Sequence, residues 1–269
     1  MAVNIGVSTL LFGSWDIVAA AGEIAAMGHQ RIELFCQLPG FHPDEVTETT
    51  IKRLLELARE YDLEYSVHPP VVNTAASDDD ERAGAVHAYT AALEVAARLG
   101  AGDVVVHSGH RSNPGVQAGE AWELAEQTLR VVGARAADLG IRLLLENTGW
   151  HAYGFMETPA DLLRLVDVAC PQDTGLLLDT GHAVLQGFDP AETARLWLPR
   201  LAQIHAHDNG GNTDDHLPLG CGVIDWASLI STLIESRWDG VFMIEVGENS
   251  DGRQSLAQSM RIIERHVGC

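Results

Sequence analysis

Short runs rich in Val, Ile and Leu alternate with longer amphipathic stretches along the whole chain. Brief apolar runs bounded by polar turns suit strands buried on both faces, as in a parallel sheet. Apolar residues recurring every third or fourth position suit helices packed over it. The pattern predicts strands at Val3–Ser8, Arg31–Phe35, Glu64–His68, Asp103–His107, Ile141–Glu146, Gly175–Asp179, Ala202–His207 and Val241–Val246. Helices are expected over SWDIVAAAGEIAAMG, HPDEVTETTIKRLLELAREY, ERAGAVHAYTAALEVAARLG and WELAEQTLRVVGARAADLG, several of which close on Gly, a common helix stop.

Eight such strand–helix units in 269 residues, with no Pro/Ser-rich linker or composition shift, give an α/β fold: a single (β/α)8 barrel spanning residues 1–269. A doubly wound open sheet is the competing architecture, but its glycine-rich dinucleotide fingerprint is missing. The near match Gly220-Cys221-Gly222 follows a loop and lacks the third glycine, so it reads as turn chemistry.

Composition narrows the function classes. With 46% hydrophobic and 20% charged residues the chain is globular rather than disordered. A formal net charge of −21 repels phosphate backbones and anionic lipid, so nucleic acid and membrane surfaces are disfavoured partners. Cys36, Cys170, Cys221 and Cys269 form no CxxC pair, which argues against a thiolate zinc site or a disulfide framework. With no basic stretch ahead of an apolar segment and no apolar run of the roughly 18 residues a membrane span needs, a cytoplasmic protein is expected. The sole lysine, Lys52, lies on a polar helical face, leaving Schiff-base chemistry almost no candidate.

The chemistry concentrates where the expected strands end. In a barrel of this kind those ends converge on one mouth. His68, His107, Glu146, Asp179, His205 and Glu245 lie at or near strand ends, His182 follows in DTGH, and Asp214 and His216 form a DxH pair in the loop after the seventh strand. A lone strand-end histidine is more often satisfied by ordinary hydrogen bonds. Carboxylates, however, rarely end apolar strands without a partner, and imidazoles with carboxylates are the ligands that hold Zn, Mn, Fe or Co. A metal cluster is the economical reading. His29, His42, His87 and His266 are expected at the surface. His110, His151 and His207, near the mouth, stand as substrate contacts or ordinary polar residues. Trp15 and Trp150 follow the first and fifth strands and could wall a sugar pocket, whereas Trp226 reads as core. Ser108 lacks the G-x-S-x-G elbow of a serine nucleophile, and Cys221 reads as a small turn residue.

The segments EYSVHPP, DVVVHSGHR, LLLENTG, GLLLDTGHAVLQGFDP, IHAHDN, DHLPLGCGVIDW and VFMIEV together resemble the xylose-isomerase-like TIM barrels, the superfamily of sugar phosphate isomerases and epimerases, inosose-processing enzymes and endonuclease IV, the family-2 AP endonuclease. The resemblance implies that Glu146, Asp179, His205 and Glu245 match the four-ligand site of the isomerases. It further implies that His68, His107, His182, Asp214 and His216 match the positions completing the three-metal site of endonuclease IV. On that basis one metal falls to His68, His107 and Glu146, a second to Glu146, Asp179, His205 and Glu245, and a third to His182, Asp214 and His216. One to three divalent ions (Zn, Mn or Co) are the implied cofactors. The segment DNGGNTDDH lacks the arginine that the ketose 3-epimerase branch places after its seventh-strand histidine, and the loop after His68 runs into the acidic stretch SDDDE.

Two chemistries follow. The leading expectation is a metal-dependent isomerase or epimerase acting on a small sugar or polyol through an enediolate, with Glu146 and Glu245 shuttling a proton and His182 positioning the substrate. A dehydratase would share the enolate step. The alternative is phosphodiester hydrolysis at a three-metal centre, which employs all the matched ligands. A non-catalytic sugar-binding barrel would not need so many convergent ligands. Homo-oligomers occur in the family, and no helical pattern identifies an interface.

Overall fold

The structure is a computed structural model describing residues 3–149, 153–169, 174–248 and 251–267. Eight parallel strands, β1 (Asn4–Ser8), β2 (Arg31–Phe35), β3 (Glu64–His68), β4 (Asp103–His107), β5 (Arg142–Glu146), β6 (Gly175–Asp179), β7 (Leu201–Ala206) and β8 (Val241–Ile244), close in sequence order, β8 pairing with β1. The helices between them are α1 (Ile17–Ala26), α2 (Glu48–Tyr61), α3 (Asp79–Leu99), α4 (Ala118–Leu139), α5 (Pro159–Ala169), α6 (Thr180–Leu185), α7 (Pro190–Trp197) and α8 (Trp226–Glu235), with α9 (Gly252–Val267) after β8. The expected (β/α)8 barrel is the fold.

The main core lies between sheet and helices, where Leu34, Val67, Val104, Val106, Leu145 and Ile244 pack on the apolar helix faces. A smaller apolar cluster of Val105, Leu144 and Leu177 fills part of the barrel interior. Aspartates start many helices: Asp16, Asp78, Asp189 and Asp225 each accept backbone N–H groups of the first turn. Gly100 and Gly140 end α3 and α4 in the left-handed region (φ 70° and 68°), as their positions implied. α2 instead stops on Asp62, also left-handed, and begins only at Glu48, after the Thr47 cap, so the expected helical stretch from His42 was too long by a turn or more.

Strand ends differ from expectation in two places that matter. β7 closes at Ala206 and β8 at Ile244, so His207 and Glu245 occupy the first residues beyond the sheet, already in the mouth. Among the described residues no helix is long and apolar enough to cross a membrane.

Candidate metal centre

Side chains alternate along a strand, so the residue two positions beyond an inward-facing core residue is the next to point inside, at the mouth. His107 follows Val105, Glu146 follows Leu144 and Asp179 follows Leu177 in this way, each one step above the interior apolar cluster. His68 and His205 stand in the same relation to the buried Ser66 and Gln203. The barrel thus raises a ring of polar groups directly on its packed interior.

All nine expected residues meet there. Glu146 lies at the centre, 1% exposed. Its Oε2 is 3.3 Å from His107 Nε2 and 3.8 Å from His68 Nε2, while its Oε1 is 3.2 Å from His182 Nδ1 and 3.8 Å from His205 Nδ1. His205 Nδ1 is also 3.2 Å from Glu245 Oε2 and 4.0 Å from Asp179 Oδ2. At the rim, Asp214 Oδ2 lies 3.1 Å from His182 Nε2 and 3.3 Å from His216 Nε2. Among the described residues five overlapping sets could each hold a cation, with one candidate atom per residue and these atoms within 4.8 Å of one another: His68, His107 and Glu146; His68, His205 and Glu245; Glu146, Asp179 and His205; Asp179, His207 and Glu245; and His207, Asp214 and His216. His207, left open by the sequence, thus joins Asp214 and His216 where His182 was expected alone.

Hydrogen bonds behind the histidines set which nitrogen faces inward. Nδ1 of His68 meets Pro69 O (2.9 Å), that of His107 the Tyr89 hydroxyl (3.4 Å), that of His182 Asn147 O (2.9 Å) and that of His216 Glu245 O (2.9 Å). Each carbonyl accepts an Nδ1–H, leaving the Nε2 lone pair for the mouth, the arrangement typical of metal-ligating histidines. His216 reaches its place through a positive φ of 45°. Asn147 clamps the next strand, donating to Asp179 O and accepting from Asp179 N (3.0 and 2.9 Å).

The electrostatics are those of a site balanced by protons when no cation is present. Burial alone would raise the Glu146 carboxyl, yet His107, His182 and His205 hold it down at about 2. Burial likewise opposes ionisation of Glu245 and Asp214, but the facing histidines keep both below the usual carboxylate range. Burial would lower His216, which Asp214 and Glu245 push up to about 9; His182 and His205 move upward through their carboxylate neighbours. His107 goes the other way, burial taking it down to about 4. Glu146 Oε2, His205 Nδ1 and His207 Nδ1 are buried without a hydrogen-bond partner. Unpartnered lone pairs in a ring of imidazoles and carboxylates, with no thiolate, fit divalent Zn, Mn, Fe or Co.

Above the ring opens a cavity of about 390 Å³, walled by Leu10, Phe35 and Val71 and floored by His68, His107, Glu146 and Glu245. A second chamber of about 590 Å³, with Asn73, Glu81 and His110, adjoins it across Val71, His107 and Thr148. Among the described residues, no Arg or Lys lines either chamber. Arg111, nearby in sequence, sends its guanidinium to Gly154 O and Val116 O.

His42, His87 and His266 are exposed, but His29 is half-buried beneath the barrel, and burial lowers its pKa. His110 lines the second chamber. Trp15 packs on Phe12 at the rim (centroids 4.7 Å apart) and is not among the residues lining the cavity; Trp150 and His151 lie outside the described residues. Trp226 is core, with its indole N–H bonded to Asp208. Ser108 is wholly buried, Cys221 is exposed and Lys52 is solvated beside Glu56. Sequence reasoning missed two buried acids, Glu33 and Asp208.

The fold and this ring of imidazoles and carboxylates define a class: the chain belongs to the xylose isomerase-like TIM barrel family, whose family model matches residues 21–266. It is similar to the crystal structure of a D-tagatose 3-epimerase-like protein, with a TM-score of 0.84 and 29% identity, covering 99% of this chain and 100% of that one. An uncharacterized protein of Methanocaldococcus jannaschii is 29% identical over 98% of this chain and 92% of its own. A probable endonuclease 4 of Solibacter usitatus is 29% identical over 82% of each chain.

Proposed function

We propose that the protein is a multinuclear metal-dependent phosphoester hydrolase acting on a small phosphodiester. The observation that carries this reading is the position of Glu146, whose two oxygens face different imidazoles, Oε2 meeting Nε2 of His68 and His107 and Oε1 meeting the unpartnered Nδ1 of His205. That is the disposition of a carboxylate shared between cations. A proton shuttle needs a carboxylate oxygen free of metal, and with both sets filled Glu146 has none.

His68, His107 and Glu146 would hold one ion, Glu146, Asp179, His205 and Glu245 a second, and Asp214 and His216, with His182 and His207 beside them, a third. When bound, such ions supply Lewis-acid polarisation of phosphoryl oxygens and a water acidified into the neutral range. The chain's own groups set the charge. Glu146, Asp179, Glu245, Asp214 and Asp215 bring five negative charges to the mouth, with Glu33 a sixth beneath its floor, and among the described residues no Arg or Lys lines it. One dication leaves that mouth strongly negative and suited to a neutral polyol, whereas three bring it close to neutrality and remove the barrier to a phosphodiester anion. Leu10, Phe35 and Val71 make the wall above the floor apolar, and the half-buried His182 and His216 line the cavity that substrate would enter. The acidic start of α3, Asp78 to Glu81, makes a duplex a poor occupant.

A second reading, an enediolate isomerase or epimerase of a sugar or polyol, is favoured by the four-ligand set Glu146, Asp179, His205 and Glu245 together with the full-length likeness to the D-tagatose 3-epimerase-like protein. One comparison separates the two. Protein loaded with Zn or Mn is assayed on bis(p-nitrophenyl) phosphate and an abasic-site oligonucleotide, and in deuterated water on a panel of ketoses and inososes. Phosphodiester cleavage that Glu146→Gln abolishes is expected. Deuterium incorporation beside a carbonyl with no cleavage would overturn the hydrolase in favour of the isomerase.

A further inference from the structure

The layer beneath the mouth is divided. On the β4, β5 and β6 side it is apolar, made by Val105, Leu144 and Leu177. On the β2, β3 and β7 side it holds Glu33, Ser66 and Gln203, all buried, Glu33 with no exposure at all. A carboxylate in that position is costly unless hydrogen-bonded and paired, and no step described above employs it. Its Oε2 accepts from Gln203 Nε2 at 2.7 Å, Ser66 Oγ at 3.2 Å and His205 Nε2 at 3.2 Å, and its Oε1 lies 3.0 Å from the same His205 nitrogen. Ser66 is the register partner of Glu33 across β2 and β3, so the sheet itself sets this cluster.

Both Glu33 oxygens therefore meet one ring nitrogen of His205. The other, Nδ1, is buried without a hydrogen bond and faces Glu245, Glu146 and Asp179 at 3.2, 3.8 and 4.0 Å. This is the reverse of His68, His107, His182 and His216, whose Nδ1 atoms are tied and whose Nε2 atoms face the mouth. We propose that Glu33 is the positioning residue of the central cation position. It accepts the Nε2–H of His205, orients the ring with the Nδ1 lone pair toward Glu146, Asp179 and Glu245, and makes the imidazole a stronger donor. Gln203 and Ser66 hold Glu33 in turn. Carboxylates behind ligating histidines act in this way at metal sites generally.

The inference rests on the divalent-metal reading of the mouth, and its test has one arm with metal and one without. Glu33→Gln and Glu33→Ala are compared with wild type by chelator-competition affinity for Zn and by the visible absorption of the Co-loaded protein, folding being checked by circular dichroism. Glu33→Ala should lose roughly 10- to 100-fold in affinity for its tightest ion and Glu33→Gln less, because the amide keeps an acceptor oxygen. Both should alter the Co spectrum. In a His205→Asn background, Glu33→Gln should cause no further loss. Affinities within about twofold of wild type in both single variants, on the scale of that expected loss, would overturn the proposal. If Glu33→Ala fails to fold, Glu33→Gln carries the test.

The second arm uses metal-free protein. A slowly exchanging imidazole N–H proton that His205→Asn removes should be present in wild type and lost or shifted in Glu33→Gln. Its persistence unchanged would sink the Glu33 assignment. Failure of wild type to take up any ion would instead sink the metal reading.

Discussion

His107 and Glu146 are register partners on β4 and β5, and their side chains meet across 3.3 Å at the top of the barrel. The sheet thus delivers an imidazole and a carboxylate to one point without help from any loop. Because the other carboxylate oxygen serves a different histidine set, Glu146→Gln should affect more than one ion. Turnover should fall roughly 100-fold or more, at least the scale on which altered metal shells act, and elemental analysis should show metal content lower than wild type. Full occupancy with full turnover in that variant would remove Glu146 from the centre.

What the sequence made legible follows from burial. Apolar strands flanked by helical periodicity permit few folds, and an acid ending such a strand, as Asp179 ends GLLLD, stands out because burial demands a partner. Glu33 did not stand out. In RIELF it sits between Ile32 and Leu34 and reads like the polar face of a half-exposed strand, whereas the barrel turns it inward onto His205. His207 shares the parity of His205, and its place in the mouth emerges from tertiary contacts: the bond to Asp179 (3.0 Å), the close approach of Gly181 and the stacking on His216 (3.9 Å between ring centroids). Asp208 was invisible because its partners lie in the loop before α8, whose path no periodicity describes, and at the first residue of that helix.

The protons that balance the metal-free site give stability a defined pH dependence. His216, raised to about 9 from 6.5, and His182 and His205, also raised, contribute stability that is fully present below pH 6.5 and is lost as pH rises through their folded values. Glu146, lowered from 4.5 to about 2, contributes above 4.5 and loses that contribution as pH falls toward 2. His107, lowered to about 4, resists a proton that the unfolded chain accepts below 6.5, so it too costs stability on the acid side. Metal-free protein should therefore melt at a higher temperature near neutrality than near pH 9. Divalent ions displace the imidazole protons, so Zn or Mn should raise the melting temperature more in alkali than at roughly pH 6. Scanning calorimetry with and without chelator measures this, and an equal rise at both would contradict the proton-balanced site.

Two glycines should respond in opposite directions to alanine. A Cβ on Gly181 would lie 2.1 Å from His207 Cε1, so the ring must leave Asp179, which its Nε2 meets at 3.0 Å. Gly181→Ala should cost about 1–3 kcal/mol, the usual range for overpacking, and should weaken metal uptake. Gly84, within α3, would place its Cβ in open space and has no positive φ, so Gly84→Ala should stabilise by about 0.5–1 kcal/mol. Denaturant titration of the pair tests whether the close approach at Gly181, rather than glycine removal as such, governs the effect.

Asp208 ties the rim to the barrel. Its carboxylate accepts from Asn209 N (3.1 Å), Gly220 N (3.0 Å), Ile224 N (3.2 Å) and the Trp226 indole (2.9 Å), and its backbone pairs with Leu217. The segment so anchored carries Asp214 and His216, the partly exposed pair proposed for the rim cation. The inner set of His68, His107 and Glu146 stands on β3, β4 and β5 and does not depend on this loop. Asp208→Ala leaves several buried donors without an acceptor and should cost about 3 kcal/mol, whereas Trp226→Phe removes one donor and should cost about 1 kcal/mol. If the anchoring is what places the rim pair, Asp208→Ala should lose the rim ion while retaining the inner ones. A variant that loses all ions together, or none, would show that the loop and the strand ends do not hold their cations independently.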